Sequence, residues 1–532
     1  MTHYEKNEML LNSPINVVFD DMLRMTNEEF EKWVVDMRET VVELWDNHGQ
    51  PPRRGKPNEG IIHEWNKMST YPVHEFTHTD ELSDTDDDVI INKSRLGAEA
   101  DQWFPAMYKV RINYSEKDTG YSIYDLFADD KYKDRMIRGC YRHFRKDSMY
   151  LHAMTCFKNN AKPAIIKCDN AEEYVQAFYE NKETIFKAHD FFLEQVKLSE
   201  GLNSGYSQVN QSDSLQLTKV QVLSLISQGL LQFHHYSTFD VDNMPDDKVY
   251  SIRIYKKGER VFPKGFAAFR IGYIQPAVNF PPMTAKYLYE RYTEHIKDQD
   301  KITIYDPSAG WGGRILGAMS CKDDRNIHYI GTDPNPDNFY DDDTRSKYAD
   351  IADFYNEKTY RGNSFFSGGT NTYEVFRLGS EVIQHEPKFQ KHKGNVDLVF
   401  TSPPYFNREA YCEDENQSFK KYGSSYESWR DGFLNPTLET CFDWLKPGGY
   451  LLWNIADILV GSNKYLPLEK DSVDILESLG MIYECKLKMA MEGMPGQNRL
   501  GEDGKPNCKN FCKIGDKYLK YEPVYVFRKE RP

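Results

Sequence analysis

The residues Thr401-Ser402-Pro403-Pro404-Tyr405-Phe406 follow directly on the apolar run 396–400 (VDLVF) and offer an uncommon chemistry. The two prolines fix two φ angles and remove two N–H groups, so the loop presents carbonyls and the Ser402 hydroxyl as acceptors. An exocyclic amine on a nucleobase needs such acceptors, because its lone pair is delocalised into the ring and the nitrogen is a poor nucleophile. Hydrogen bonds accepted from both of its N–H groups favour a tetrahedral nitrogen whose lone pair faces an electrophilic methyl. Tyr405 supplies a ring to stack on a base rotated out of the duplex, as enzymes acting on a base edge require. Phe406 adjoins it as a further nucleic-acid contact. Ser402, Pro403, Pro404 and Tyr405 are therefore the catalytic candidates. The bland alternative is a Pro-Pro turn at a domain edge, and a second motif upstream weighs against it.

That motif is Asp306-Pro307-Ser308-Ala309-Gly310-Trp311-Gly312-Gly313-Arg314, between the run 302–305 and a helical stretch from Ile315. Glycines in a turn between strand and helix let ligand atoms approach the backbone where any Cβ would intrude. The spacing lacks the third glycine of a dinucleotide fingerprint. Asp306 instead puts a carboxylate at the strand's C-terminal edge, where the ammonium of a methionine-type moiety finds a partner. Downstream, Gly331-Thr332-Asp333 ends a second apolar run, and an acid there is positioned for ribose hydroxyls. Asn363, in Gly362-Asn363-Ser364, offers an amide to an adenine edge, though a turn residue reads equally well.

The elements that must position these residues follow from texture. Short apolar or aromatic runs at 302–305, 328–332, 396–400 and 450–455 alternate with helical stretches, including 283–296 and 426–445. Such alternation implies a parallel sheet covered on both faces. Runs at 481–489 and 521–528 flank a Gly-rich loop and predict a closing antiparallel hairpin. The fold class is therefore α/β in residues 271–532, with a mostly helical or mixed region over 1–270. In that region, residues 27–46 carry apolar side chains at helical spacing with Thr26 as N-cap. A basic loop (Arg53, Arg54, Lys56), an acidic tract (Asp84, Asp86, Asp87, Asp88) and a long helix over 171–199 with a polar linker follow. That acidic tract and Asp341, Asp342 and Asp343 read as solvated loops.

Composition bounds the partners. The 532 residues carry 67 Lys and Arg against 82 acids, a net charge of −15, so phosphate binding must rest on local basic patches. Residues 131–146 supply the most basic stretch, where Arg135, Arg138, Arg142 and Arg145 fall on one helical face. Nine dispersed cysteines, of which Cys508 and Cys512 are the nearest pair, fit reduced thiols, and no metal site is expected. No apolar run approaches the ~20 residues that span a bilayer, nor does the N-terminus carry a secretory pattern. A cytoplasmic location is expected.

From Asn279 to Lys529 the chain resembles the DNA amino-methyltransferases, especially orphan enzymes carried by bacteriophages. Residues 306–312 resemble that family's cofactor loop, with Ser308 in place of the usual aromatic, and residues 401–405 match its catalytic tetrapeptide. Phe280-Pro281-Pro282 sits where the family has a segment touching the cofactor's carboxylate end. The resemblance implies a Rossmann-like, seven-stranded methyltransferase sheet, S-adenosylmethionine (AdoMet) as cofactor, and double-stranded DNA in a bacterial or phage-infected cell. Cofactor-binding candidates are then Phe280, Pro281, Asp306, Pro307, Ser308, Gly310, Gly312, Asp333 and Asn363. Ser402 points to cytosine N4, with adenine N6 as the alternative. RNA or protein-amide methylation, or a non-catalytic anti-restriction protein, are further alternatives. Fewer than a hundred residues separate the cofactor and catalytic motifs, so target recognition is expected from residues 1–270.

Overall fold

Each of the runs read as a strand forms one in the computed structural model, and all join a single sheet. The structure describes residues 25–140 apart from 50, 52–55, 84–86 and 113–119; residues 5, 17, 154–156, 214–218 and 249–253; and residues 277–531 apart from 297–300, 322–324, 341–344, 360–370, 424, 461–463, 492–505 and 507–508. The expectations for Arg53, Arg54, Asp84, Asp86, Arg142, Arg145, the helix over 171–199 with its linker, Asp341 to Asp343, Asn363 and Cys508 lie outside the described residues.

The sheet has ten strands: β1 (Thr77–Thr79), β2 (Asp88–Ile90), β3 (Ile302–Asp306), β4 (Ile327–Thr332), β5 (Thr372–Phe376), β6 (Val396–Thr401), β7 (Leu445–Asn454), β8 (Met481–Ala490), β9 (Phe511–Ile514) and β10 (Lys517–Lys529). Their order is β1-β2-β8-β10-β7-β6-β3-β4-β5, with β9 on β10. The seven strands β5-β4-β3-β6-β7-β10-β8 form the seven-stranded Rossmann-like sheet that the resemblance implies. β3 to β7 run parallel, and β10 enters antiparallel between β7 and β8. The closing hairpin is thus present, with one addition. Part of the expected loop is β9, which turns through Gly515 (φ +56°) into β10. β5 is also an addition to the strands read from sequence.

Every residue of β3, β4 and β6 is buried, as strands covered on both faces must be. Alternate side chains go to opposite faces. Ile302, Ile304, Tyr329, Leu398 and Phe400 join one core, while Tyr305, Ile330, Val396 and Val399 join the other. Helices α5 (Pro282–Thr293), α6 (Gly313–Met319) and α7 (Lys347–Thr359) cover the first face; α9 (Asn435–Trp444) and α10 (Leu468–Ser478) cover the second. The helix predicted over 426–445 runs from Tyr426 to Trp444 with a π-turn inside it at Arg430–Leu434. Pro436 follows it, and its missing N–H cannot continue an α ladder.

In the N-terminal region, α1 (Asn27–His48) forms where expected. Thr26 and Glu29 make a capping box, and Phe30, Trp33, Val34, Met37, Val41 and Trp45 are buried. Arg38 is also buried on α1, donating to Leu126 O at 3.3 Å and Asp129 O at 2.7 Å around the end of α3 (Ile123–Ala128). Helix α4 (Lys133–Cys140) packs beside them and carries two of the predicted arginines. Arg135 lies over the Tyr121 ring at 4.6 Å, while Arg138 is exposed.

The acidic tract is not the solvated loop expected where it is described. Asp88 begins β2 and accepts from Arg291 of α5 at 2.6 Å, and Asp87 accepts from Lys486 N at 3.3 Å. The acids meet cations that distant segments bring alongside. β2 lies parallel to β8, and Asp80 accepts from the buried Lys488 Nζ at 2.7 Å. Burial opposes ionisation of Asp80, but Lys488 and the backbone amides of Lys513 and Leu82 outweigh it and hold the carboxyl below its usual value. Its contribution is present above the ordinary carboxylate value of about 3.9 and is lost as pH falls through the depressed folded value. Asp80→Ala leaves the buried Lys488 ammonium with Asp87, at 3.8 Å, as its remaining ion-pair partner among the described residues, and is expected to cost about 3 kcal/mol, read from the urea midpoint. Replacing both partners by apolar residues should recover most of that loss; a single variant as stable as wild type would refute the docking.

Candidate active site

The order of the central strands reverses between β3 and β6, and crevices at such a switch point lie beyond the strands' carboxyl ends. Both chemistry-bearing loops begin there, from neighbouring strands. Asp306 ends β3 and Thr401 ends β6, and the Thr401 hydroxyl donates to Asp306 Oδ1 at 2.7 Å.

The Asp306 carboxylate is fully buried. Besides Thr401, Oδ1 accepts from Ser308 N at 3.2 Å; Oδ2 accepts from Arg314 Nε at 2.7 Å and Tyr329 OH at 2.6 Å. Four donors occupy the four lone-pair directions of a carboxylate. Asp306 is therefore not open to a ligand ammonium, as its place at the strand edge suggested; it fastens the loops. Burial alone would lower Arg314, but Asp306 and the surrounding tyrosines hold its guanidinium above the usual arginine value. Arg314 also donates to Ser308 O and lies over the Phe280 ring at 5.6 Å.

The glycine loop is held from beneath by the end of β4. Ala309 N donates to Thr332 O at 2.9 Å, and the Thr332 hydroxyl donates to Pro307 O at 2.7 Å. Gly310 (φ +63°) donates its N–H to Asp333 Oδ2 at 3.1 Å, and its carbonyl accepts from Asn338 and Tyr348. A Cβ on Gly310 would meet Arg314 at 3.5 Å and Ser308 O at 3.8 Å, ordinary contacts, so it is the positive φ rather than crowding that calls for glycine here. Gly312 and Gly313 are glycines for packing. A Cβ on Gly312 (φ +80°) would lie 2.4 Å from the Phe104 ring, and one on Gly313 would lie 2.0 Å from Phe280 O. Ser308 and Trp311 are half-buried beside Gly310.

Asp333 is likewise buried. Oδ2 receives Gly310 N, Tyr348 OH at 2.8 Å and Asn338 Nδ2 at 3.3 Å, whereas Oδ1 takes Asn335 N at 2.8 Å. Burial pushes its carboxyl up to about 6, against the opposing effect of these donors. Asn338 Oδ1, beside it, is buried without a hydrogen-bond partner. Phe280 and Pro281 brace the loop from α5: the Phe280 ring packs edge-on to Phe400 at 5.3 Å, and Pro281 caps the helix.

Beyond Thr401, Ser402, Pro404 and Tyr405 are half-buried and Pro403 is buried. Tyr405 OH donates to Asn454 O at the end of β7, 3.3 Å away. Burial drives its phenol well above the ordinary value, Glu522 adds to that, and a hydrogen bond with Ser402 opposes it. Phe406 is not available to a base. It takes φ +49° and turns inward, 5% exposed, against Tyr426 at 6.0 Å and Trp429 at 5.7 Å. Two carboxyls, Glu409 and Glu522, flank Tyr405, and burial pushes both upward. Tyr411 joins the loops: its hydroxyl donates to Glu409 at 2.7 Å and its ring lies 5.7 Å from Trp311.

Asn279, Tyr348, Tyr411, Glu409, Glu522 and Asn454 are the site residues that sequence reasoning passes over. Asn279 bridges the glycine loop, accepting from Gly313 N at 3.2 Å and donating to Trp311 O at 2.7 Å. One of the six carried a signal: Glu522 is a lone acid within the otherwise apolar run 521–527.

No known family model matches the chain. A type II methyltransferase of Bacillus subtilis, M.BglII, is 33% identical over 87 residues, covering 16% of this chain and 21% of that protein. Among solved structures, a provisionally assigned DNA modification methylase from Thermus thermophilus is 22% identical, covering 29% of this chain and 50% of its own at TM-score 0.19. A SAM-dependent methyltransferase from Methanosarcina mazei is 12% identical, covering 46% and 98% at TM-score 0.24. The chain spans about a fifth of the length of the curated relative.

Asp306→Ala should strand the buried Arg314 guanidinium and lower stability by about 3–5 kcal/mol, measured by denaturant unfolding. An unchanged midpoint would show that Asp306 does not fasten the two loops.

Proposed function

We propose that the chain is an AdoMet-dependent DNA methyltransferase acting on the exocyclic amine of a base, cytosine N4 ahead of adenine N6. The observation that carries this reading is the 2.7 Å Thr401–Asp306 hydrogen bond, which sets a donor-poor Ser-Pro-Pro-Tyr loop beside the glycine turn.

The residues present fit AdoMet. Gly310 presents backbone without a Cβ, Asp333 Oδ1 keeps capacity for a ribose hydroxyl, and Asn338 Oδ1 awaits a donor. Gly310, Asp333 and Ser308 are the cofactor-binding residues in this reading, with Asp306 fixing the loop from within, Gly312 letting Phe104 pack against it, and Phe280, Pro281 and Pro307 framing it. When bound, AdoMet supplies an electrophilic methyl on its sulfonium. Ser402 accepts one N–H of the target amine and the proline-flanked carbonyls accept the other, turning the lone pair out of conjugation. Tyr405 packs against the base, its hydroxyl anchored to β7 so that the ring stays in place. Glu409 and Glu522 lie beside Tyr405 as further polar groups on the base side, their carboxyls raised by burial. DNA phosphates would meet the exposed Arg138 and its neighbours on α4. The local likeness to a type II methyltransferase supports DNA as the substrate.

Asp333 gives this reading a pH signature. Between about pH 4 and pH 6 the native state holds a proton that the unfolded chain has released. The group's contribution to stability therefore falls as pH rises through that window. Ribose hydroxyls favour the ionised form, so AdoMet affinity should drop below about pH 6. Asp333→Asn should weaken binding about tenfold or more, the loss of one or two charge-assisted hydrogen bonds, and flatten that profile. Calorimetry showing equal affinity in both proteins would refute the assignment.

Mass spectrometry of nucleosides after incubating DNA with protein and AdoMet tests the reaction directly. N4-methylcytosine is expected; methylated adenine alone would change the base and keep the class, and unmodified DNA would refute the class. Ser402→Ala should lower kcat while AdoMet binding stays intact, because the hydroxyl acts on the base.

A further inference from the structure

The far end of the same sheet carries a cluster that the proposed reaction does not use. His328 is the second residue of β4, Glu374 lies on the edge strand β5, and His392 follows the short helix α8 (Pro387–Gln390). One ligating atom from each falls within 4.8 Å of the others. His328 Nε2 stands 3.3 Å from Glu374 Oε1, and His392 Nε2 stands 3.6 Å from that same oxygen. Ligand atoms about 2.0–2.1 Å from a tetrahedral zinc lie roughly 3.3 Å from one another, so these spacings suit a shared ion. Neither Nε2 is satisfied by a hydrogen bond, although both are buried and the His328 side chain is only 4% exposed. The other nitrogen of His328, Nδ1, meets the Thr372 hydroxyl at 2.8 Å. A contact of that kind fixes the orientation of a metal-binding imidazole.

We propose that His328, Glu374 and His392 bind a divalent transition-metal ion of the zinc class and clip the edge strand to β4 and to the segment after α8. Two imidazoles and one carboxylate suit zinc and leave a fourth position for water. An ion bound at the Glu374 oxygen would have to displace a cation that is already there. The opposing group is Lys391, whose Nζ lies 2.8 Å from Glu374 Oε1. Its side chain is 54% exposed and can swing into solvent when an ion takes its place.

The test is a zinc titration of chelator-stripped full-length protein in competition with a chromophoric chelator, followed by cobalt(II) substitution. Wild type should take up one ion that His392→Ala does not, and the cobalt spectrum should show tetrahedral bands without a thiolate charge-transfer band. Thr372→Val should weaken binding about 10–100-fold. Lys391→Met should tighten it, whereas a plain hydrogen-bond cluster would give no change in zinc uptake. His392 sits near the surface, so its variant remains informative if the buried His328→Ala fails to fold. Equal zinc uptake by wild type and His392→Ala, or a thiolate-type cobalt spectrum, overturns the site. DNA methylation is read separately, so failure of either reading leaves the other standing.

Discussion

A single buried carboxylate holds the arrangement together. Asp306 gathers donors from the glycine loop, from α6, from β4 and from β6, each on a different element. A charge removed from water is tolerable only when it is paired and its lone pairs are filled, and here both conditions are met by groups the fold has already fixed. The distance between the two chemistry-bearing loops follows directly. Pro307 is the next residue after Asp306, Ser402 is the next after Thr401, and neither can drift without breaking a buried hydrogen bond.

The N-terminal region closes the same space from outside. Phe104 fills the hollow over Gly312, and Asp101 takes an amide proton from Asn279 at 3.4 Å. A few residues later, Arg111–Ile112 pairs antiparallel with Glu409–Ala410, just past the Ser-Pro-Pro-Tyr loop, while Arg111 binds Asp125 at 3.0 Å and Glu413 at 2.9 Å. One short segment thus buttresses the glycine loop and the Ser-Pro-Pro-Tyr loop together. Described parts of residues 1–270 also extend the sheet through β1 and β2. Among the described residues no helix is long and apolar enough to cross a membrane.

Much of this was legible in the sequence because it is local. A fully buried parallel strand needs a mostly apolar or aromatic run, and β3, β4 and β6 have one; Thr26 and Glu29 announce the start of α1. The glycine and proline motifs mark backbone that ordinary residues cannot adopt. What could not be read depends on partners far away in the chain. Asp306 looked free for a ligand because Arg314, Tyr329 and Thr401 meet it only in three dimensions. Asp88 looked solvated because Arg291 is supplied by another element, and Phe406 looked like a base contact because its positive φ leaves no trace in composition. β1 and β2 are three residues each, too short for a period to show. The His328, Glu374 and His392 cluster escapes for the same reason, since its ligands follow no local spacing.

The ends of the sheet carry a consequence for the protein at high concentration. A long, flat, apolar edge strand is a template for pairing with another chain. One edge here is β1, with only three residues and the hydrophilic sequence Thr77-His78-Thr79. The other is β5, whose Glu374 side chain is engaged by Lys391. Of the longer hairpin strands, β10 lies inside the sheet between β7 and β8, while β2 pairs with β8 only at Lys488 and Met489, and the rest of β8 carries Glu484 and Lys486 among its apolar residues. Short, polar and charged margins of this kind oppose edge-to-edge self-association, so a protein with ten strands in one sheet is equipped to stay dispersed rather than to seed fibrils.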